Sequence, residues 1–274
     1  MSGIRYGEYI VVHRLDSGRV AELVLDRPGR MNAVSAELGA SLAAATADLA
    51  DDSSVGVTVI TSSSERAFCV GADLKERNGF TEADRKAARP VSRAAYAGVL
   101  ALPMPAIAAV RGYALGGGYE IALSCDVIVA DPGATIGLPE TTVGVIPGGG
   151  GTQLLPRRVG AAAAAHLIFS GRRVPAAEAR DLGLVDFLAP AGEARAMALD
   201  IARGYAANSP VALRAAKRSL RLGHGKDLAA GLEVEDAAWH TAALSDDWAE
   251  GVAAFNEKRT PDWPAYRSTV DSRY

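Results

Sequence analysis

The chain has 274 residues, of which 49% are hydrophobic and 22% charged, and its formal net charge is −3. This length favours one or two domains with a substantial buried core. The mild acidity gives no electrostatic reason to expect nucleic acid or an anionic membrane as a partner. No apolar run is long enough to cross a bilayer, and the start of the chain lacks the pattern of a signal peptide.

Cysteine and histidine usage points away from metal and disulfide chemistry. Cys69 and Cys125 are far apart and form no CxxC pattern, which predicts a reducing, cytoplasmic compartment. The four histidines show no metal-ligand spacing, so we expect no bound metal. The composition therefore leaves a metal-free globular protein as the starting hypothesis.

Strand and helix patterns alternate along the first two thirds of the chain. Apolar runs predict strands at 8–15, 19–25, 55–62, 67–71, 104–112 and 127–130, and helical patterns run at 35–51, 81–100 and 117–125. This alternation predicts an α/β fold built from parallel βα units. Residues 1–200 are expected to form the core. Residues 201–274 are expected to be a helical region of the same domain.

Three consecutive glycines, Gly116 to Gly118, stand where a strand is predicted to end and a helix to begin. Glycine there costs about 1 kcal/mol relative to alanine, so the run needs a reason. The reason is structural if the turn requires unusual dihedral angles or close packing. It is functional if a ligand approaches the unpaired N–H groups of the first helical turn. Neither this run nor "GGGGTQ" at 148–153 has the spacing of a phosphate-binding loop.

A second strand ends at Gly71 and turns through Ala72 into a short helix. Parallel strands that end at one edge of a sheet would bring the N–H of Ala72 towards that of Gly117. Glu120 follows the glycines within an apolar segment, and a buried glutamate is costly unless it is paired or used. Burial also raises the pKa of a carboxyl group, which suits a general acid or base near neutral pH. Glu140 follows Pro139 in a loop, where a solvated charge is the ordinary expectation.

The segments "FCVGADLKE", "VRGYALGGGYEIALSCD" and "IGLPETTVGVIPGGGGTQLLPRRVG" resemble those of the crotonase superfamily, and specifically enoyl-CoA hydratases. The resemblance implies a fold of repeated ββα units with a C-terminal helical region. It implies an acyl-CoA thioester substrate and a homotrimer or a dimer of trimers. Coenzyme A is then part of the substrate, and no separate cofactor is expected.

The resemblance also assigns roles to four residues. The N–H groups of Ala72 and Gly117 match the oxyanion hole that holds the thioester oxygen. Glu120 and Glu140 match the two glutamates of hydratases, as general base and acid in the addition of water across the C2=C3 bond. The two carboxyl groups are expected within a few ångströms of each other. The remaining residues that match substrate contacts are Arg66, Ala67, Phe68, Val70, Gly71, Asp73, Leu74, Lys75, Gly116, Pro139, Phe255 and Lys258.

Several alternatives share this scaffold. Isomerases of the superfamily often lack one of the two glutamates, so the presence of both favours hydration. The closest resemblance is to the methylglutaconyl-CoA hydratase branch, which includes proteins that bind RNA through a lysine-rich early helix. The matching helix here has no Lys or Arg, which argues against RNA binding. Val70 and Tyr119 depart from the family pattern and leave the acyl-chain preference open.

Overall fold

The structure is a computed structural model that describes residues 3–267. The strands within these residues are β1 (Ile4–Tyr6), β2 (Ile10–Leu15), β3 (Val20–Leu25), β4 (Val57–Ser62), β5 (Ala67–Cys69), β6 (Ala106–Val110), β7 (Tyr113–Leu115), β8 (Val127–Ala130), β9 (Thr135–Gly137), β10 (Val174–Pro175) and β11 (Phe187–Leu188). The α-helices are α1 (Ala36–Asp51), α2 (Leu74–Arg77), α3 (Glu82–Ala101), α4 (Gly117–Ser124), α5 (Gly151–Val159), α6 (Ala161–Ser170), α7 (Ala176–Asp181), α8 (Ala194–Ala206), α9 (Pro210–Gly223), α10 (Leu228–Ala243), α11 (Asp246–Glu257) and α12 (Pro264–Arg267).

The strands form two sheets. The larger sheet has the order β1-β2-β3-β4-β6-β8-β11 and is parallel from β3 onwards, whereas β1, β2 and β3 pair antiparallel. The smaller sheet has the order β10-β9-β7-β5, in which β9, β7 and β5 are parallel. The predicted α/β class is confirmed. The sequence pattern did not reveal the second sheet, because its strands are only two or three residues long.

Helices cover both faces of the larger sheet. Val57 and Val59 on β4 pack with Ala198 and Ala202 of α8 on one face, and Ile60 belongs to the larger core on the other face. Burial on both faces explains why β4 reads as a continuous apolar run rather than an alternating one. None of the helices within residues 3–267 is long and apolar enough to cross a bilayer.

Side-chain caps define where the two long early helices begin. The Ser35 hydroxyl accepts a hydrogen bond from the N–H of Leu38 at 3.2 Å and caps α1, at the start of the helical pattern predicted at 35–51. Thr81 and Asp84 form a reciprocal capping box at the start of α3. Helices α1 and α3 pack against each other, and α3 also contacts α4, the helix that follows β7 of the smaller sheet.

A cluster of charges fastens α9 to the core. The Lys217 ammonium is buried, donates to the carbonyl oxygen of Met104 at 2.7 Å and pairs with Asp126 at 2.7 Å. The Arg221 guanidinium donates to Asp126 at 2.7 Å and to the carbonyl oxygen of Ser124 at 3.0 Å. Because Ser124 is the last residue of α4, the C-terminal helices hold that end of α4 in place.

Candidate active site

Two strand-to-helix turns meet at one edge of the smaller sheet. Strands β5 and β7 are parallel neighbours, so the turns that follow them lie side by side. A Cβ atom placed on Gly71 would lie 2.9 Å from the nitrogen of Gly117 and 2.8 Å from the oxygen of Leu115. The expected meeting of the two turns is therefore observed. It depends on the absence of a side chain at Gly71.

Each turn leaves one backbone donor unused. Gly117 is the first residue of α4, where an N–H has no acceptor inside the helix. Val34 forms a β-bridge with Ala72 through the neighbours of Ala72. The oxygen of Gly71 accepts from the N–H of Val34 at 2.7 Å, and the N–H of Asp73 donates to the oxygen of Val34 at 3.1 Å. The N–H of Ala72 itself takes no part in this bridge. Within residues 3–267, neither N–H donates a hydrogen bond to a protein acceptor.

The structural explanation of the glycine run is observed, and the functional explanation stays a prediction. Gly116 has φ +53° and ψ −129°, a conformation that favours glycine. A Cβ atom on Gly118 would lie 2.0 Å from the carbonyl oxygen of Cys69, so that glycine permits the helix to pack on β5. Gly117 contributes the free N–H described above. The backbone conformation of Gly116 and the close packing of Gly118 thus account for two glycines of the run, and Gly117 supplies an N–H without an acceptor.

Glu120 lies within the first turn of α4 and is 2% exposed. Its Oε1 atom accepts hydrogen bonds from the N–H groups of Gly149 at 2.7 Å and Gly151 at 2.8 Å. Burial raises the pKa of Glu120, and these backbone hydrogen bonds oppose the shift because they favour the carboxylate. The buried carboxyl group suggested by the sequence is therefore held by two backbone donors. We call the N–H groups of Gly149 and Gly151 the cradle of Glu120.

Glu140 opens a short 3-10 turn that spans Glu140–Val143. Its Oε1 atom lies 3.1 Å from the position of a Cβ on Gly116, next to the start of α4. Its Oε2 atom is buried and has no hydrogen-bond partner among residues 3–267. Burial, and then the charge of Glu120, raise the pKa of Glu140 to about 7. The loop position predicted from sequence is correct, but the carboxyl group is not a solvated charge.

The two carboxyl groups thus have different surroundings. Glu120 has two N–H donors that stabilise its ionised form, whereas Glu140 has an unpartnered oxygen and a pKa near neutrality. Neighbouring carboxyl groups with different surroundings are an arrangement that a general acid and a general base can use. The site can therefore accept one proton and donate another, next to two free backbone donors.

The other predicted contacts near the turns have mixed surroundings. The side chains of Ala67 and Phe68 are fully buried in the core, so only their main chain is available to a ligand. The carboxylate of Asp73 accepts from Arg27 at 2.7 Å and caps α2. The residues that border the turns with partly or fully exposed side chains are Arg66, Val70, Leu74, Lys75 and Pro139.

Phe255 and Lys258 lie elsewhere, at the end of α11. Phe255 is 83% exposed, and Lys258 is the exposed C-cap of the helix with φ +55°. Helix α11 packs against α10 and α12. The substrate contacts predicted for these two residues stay predictions. Tyr119, the departure noted in the sequence, is 1% exposed and donates to the oxygen of Leu184 at 2.8 Å, so its side chain is committed to the core.

Sequence reasoning missed several residues that shape the site. The run at 148–151 was considered only as a phosphate loop, yet Gly149 and Gly151 bind Glu120. Asn32 is fully buried with φ +54°, and its amide nitrogen donates to the oxygen of Phe68 at 2.9 Å. Tyr96 is a buried aromatic residue on a largely exposed helix. A glycine run before a helix and a lone aromatic in a polar segment were the available signals.

Comparison with known proteins shows which family the chain resembles. A family model described as enoyl-CoA hydratase/isomerase matches residues 16–266. The 2,3-dehydroadipyl-CoA hydratase of Escherichia coli is 42% identical over 246 residues, which cover 89% of this chain and 95% of that protein. The mitochondrial methylglutaconyl-CoA hydratase of Rattus norvegicus is 40% identical, with 88% of this chain and 78% of that protein covered.

Structural similarity extends over the same range. The crystal structure of an enoyl-CoA hydratase from Bacillus anthracis has a TM-score of 0.90 at 40% identity and covers 93% of this chain and 99% of that one. The chain therefore belongs to the enoyl-CoA hydratase/isomerase family of the crotonase superfamily. The crotonase-like fold expected from the sequence is confirmed.

Proposed function

We propose that the protein is an enoyl-CoA hydratase that adds water across the C2=C3 double bond of a trans-2-enoyl-CoA thioester. The observation that carries this proposal is the pair of unlike carboxyl groups beside two unused backbone donors. Glu120 is cradled by N–H groups, and Glu140 has an unpartnered buried oxygen. Hydration needs a base for the water, an acid for C2 and donors for the thioester oxygen.

Each group has one task in the proposed reaction. Glu120 takes a proton from water as the water oxygen bonds to C3, and the π electrons move towards the thioester oxygen. The N–H groups of Ala72 and Gly117 stabilise the resulting enolate-like charge, and loss of one such donor typically costs about 3 kcal/mol. Glu140 then gives a proton to C2. A proton passes from Glu120 back to Glu140 before the next turnover.

Isomerisation of a 3-enoyl-CoA is the alternative on the same scaffold. It moves one proton between two carbons of the substrate and needs only one carboxyl group as a shuttle. Glu120 has two N–H donors and Glu140 has an unpartnered oxygen, and these different surroundings support two separate proton transfers instead. Product analysis with a 3-enoyl-CoA distinguishes the two reactions, because an isomerase converts it to the conjugated 2-enoyl-CoA.

Arg89 favours a second candidate, a hydratase for an acyl chain that ends in a carboxylate, such as 3-methylglutaconyl-CoA. Its guanidinium donates to the oxygen of Gly148 at 2.7 Å, beside the cradle of Glu120. Its charge acts on Glu120 and opposes the rise of that pKa. The remaining N–H groups of Arg89 have no acceptor among residues 3–267. A distal carboxylate would supply one.

Hydration of crotonyl-CoA tests the proposal, followed by the loss of ultraviolet absorbance of the conjugated thioester. We expect turnover by the wild-type chain and a loss of about 100- to 10,000-fold in Glu120→Gln and Glu140→Gln, the range of general acid–base contributions. Binding of crotonyl-CoA should survive in both variants, since neither change removes an oxyanion donor. Near-full turnover in both variants would contradict the proposal. The same assay with 3-methylglutaconyl-CoA compares the two candidate substrates.

We also propose that the chain assembles as a homotrimer or a dimer of trimers. The support is a C-terminal apolar face on α10, α11 and their junction, formed by Leu228, Leu232, Trp239, Leu244, Trp248, Val252 and Phe255. Each of these side chains is more than one third exposed in the single chain. Helices α10 and α11 contact each other, and exposed apolar side chains on adjoining helices are typical of an interaction site. Phe255, one of the residues predicted to contact the substrate, belongs to this face.

A further inference from the structure

Tyr96 reaches the candidate active site from α3. It is 7% exposed, although most of that helix faces solvent. A Cβ atom on Gly149 would lie 2.6 Å from Cγ of its ring, and a Cβ atom on Gly117 would lie 2.1 Å from its hydroxyl oxygen. The phenol group therefore lies between Gly149, which donates to Glu120, and Gly117, whose N–H has no acceptor. Its orientation is fixed by backbone on both sides.

No hydrogen bond of the Tyr96 hydroxyl group is present among residues 3–267, and its oxygen is not one of the fully buried atoms that lack a partner. The ring is buried while the hydroxyl oxygen stays accessible, so a ligand bound at the turn can accept a hydrogen bond from it. Burial, followed by neighbouring groups that include Cys69 and Glu120, raises the pKa of Tyr96 far above its ordinary value. The group therefore keeps its proton at any working pH and acts as a donor, not as an acid or base.

We propose that the Tyr96 hydroxyl donates a third hydrogen bond to the thioester oxygen, beside the N–H groups of Ala72 and Gly117. The inference rests on the proposed function, since it assumes that an acyl-CoA thioester binds at this turn. A rigid donor aimed at the position where negative charge develops stabilises the transition state without reorganisation. Tyr96 is then a catalytic residue in addition to the two glutamates.

Tyr96→Phe tests this assignment because it keeps the ring and removes only the hydroxyl group. We expect kcat for crotonyl-CoA to fall about 10- to 100-fold, the effect of losing one hydrogen bond to a charged oxygen, with little change in KM. Tyr119→Phe is the matched control. It also removes a buried hydroxyl, but one that donates to Leu184, and should lower the melting temperature while leaving kcat unchanged. A melting temperature for Tyr96→Phe near that of wild type shows that the variant folds.

A ligand that forms an enolate gives a second readout that does not require turnover. Acetoacetyl-CoA loses a proton to form an enolate that absorbs in the ultraviolet, and its pKa on the protein reports stabilisation of the charged oxygen. We expect Tyr96→Phe to raise that pKa by about 1 to 2 units, since one unit corresponds to a tenfold change. Tyr119→Phe should leave it unchanged.

The outcomes separate the two proposals. If the wild-type chain does not hydrate enoyl-CoA but Tyr96→Phe raises the enolate pKa, the proposed reaction fails and the assignment of Tyr96 stands. If hydration is normal and Tyr96→Phe changes neither kcat nor the enolate pKa, the assignment is overturned. It is also overturned if kcat falls while the enolate pKa stays at the wild-type value, because the hydroxyl then does not reach the thioester oxygen.

Discussion

Glu140 combines two properties that a surface glutamate does not have. One carboxyl oxygen is buried without a partner, and its pKa is raised to about 7 by burial and by the charge of Glu120. A group with such a pKa carries a proton for much of the time at neutral pH, as a general acid must. The role proposed for Glu140 therefore predicts that the rate of hydration depends on pH.

We expect kcat/KM for hydration to fall as the pH rises above about 7, by about tenfold per pH unit well beyond that pKa, because the proton donor is lost. A profile of kcat/KM between pH 5 and 9 measures this decline. Separate binding measurements at each pH control for an effect on substrate affinity. A rate that stays constant up to pH 9 would contradict the assignment of Glu140 as the acid.

The same pKa affects stability with a defined sign. The pKa of Glu140 is higher in the folded chain than its ordinary 4.5, so the folded state favours the protonated group. Its contribution to stability is complete below the unfolded pKa and is lost as the pH rises through about 7. Glu140→Gln should thus gain stability over wild type at pH 8 and little at pH 5, which urea denaturation at the two pH values measures.

At the scale of elements, the site is made by the junctions that follow β5 and β7. The helix α4 approaches β5 so closely that the carbonyl oxygen of Cys69 occupies the place of a side chain on Gly118. The neighbour is backbone, which cannot rotate away as a side chain does. This contact fixes the distance between the two turns, and with it the distance between the N–H groups of Ala72 and Gly117.

We expect Gly118→Ala to destabilise the fold by about 1 to 3 kcal/mol or more, the usual cost of overpacking, and to lower kcat by moving α4 away from β5. Urea denaturation and the hydration assay measure the two effects. Gly204→Ala is the matched control. Gly204 is an exposed position inside α8 with nothing within 4 Å of a new Cβ atom, so alanine should stabilise the chain by about 0.5 to 1 kcal/mol. Equal stability of the two variants would refute the proposed close packing.

The sequence predicted the elements better than their contacts. The strand β4 and the helix α1 were readable because burial on two faces and a Ser35 cap leave local patterns. The positions of Glu120 and Glu140 were also found. The approach of Tyr96 to Gly117 was not, because α3 and α4 are joined by two strands and meet only in the folded chain. The cradle of Glu120 was missed for the same reason, since its donors lie about thirty residues further on.

At the scale of the whole molecule, the C-terminal apolar face predicts assembly. We expect light scattering to give three or six times the chain mass of 28.3 kDa. Leu244→Glu, at a residue 83% exposed in the single chain, should shift the mass towards one copy because it buries a charge at the contact. Ile4→Glu on β1, also an exposed apolar residue, is the control and should leave the mass unchanged. A wild-type mass of one chain would refute the proposed assembly.

The ion pairs around Asp126 limit which residues of α9 can change in the course of evolution. Helix α4 has only eight residues, about 12 Å along its axis. One end offers the free N–H of Gly117, and the other is held by Arg221, with Lys217 bound to the adjoining Asp126. Exposed positions of α9 such as Leu220 are free to change to suit a new neighbour. Lys217 and Arg221 are not free to change in this way. Their replacement would loosen the C-terminal end of α4, and this short helix carries the N–H of Gly117 at its other end.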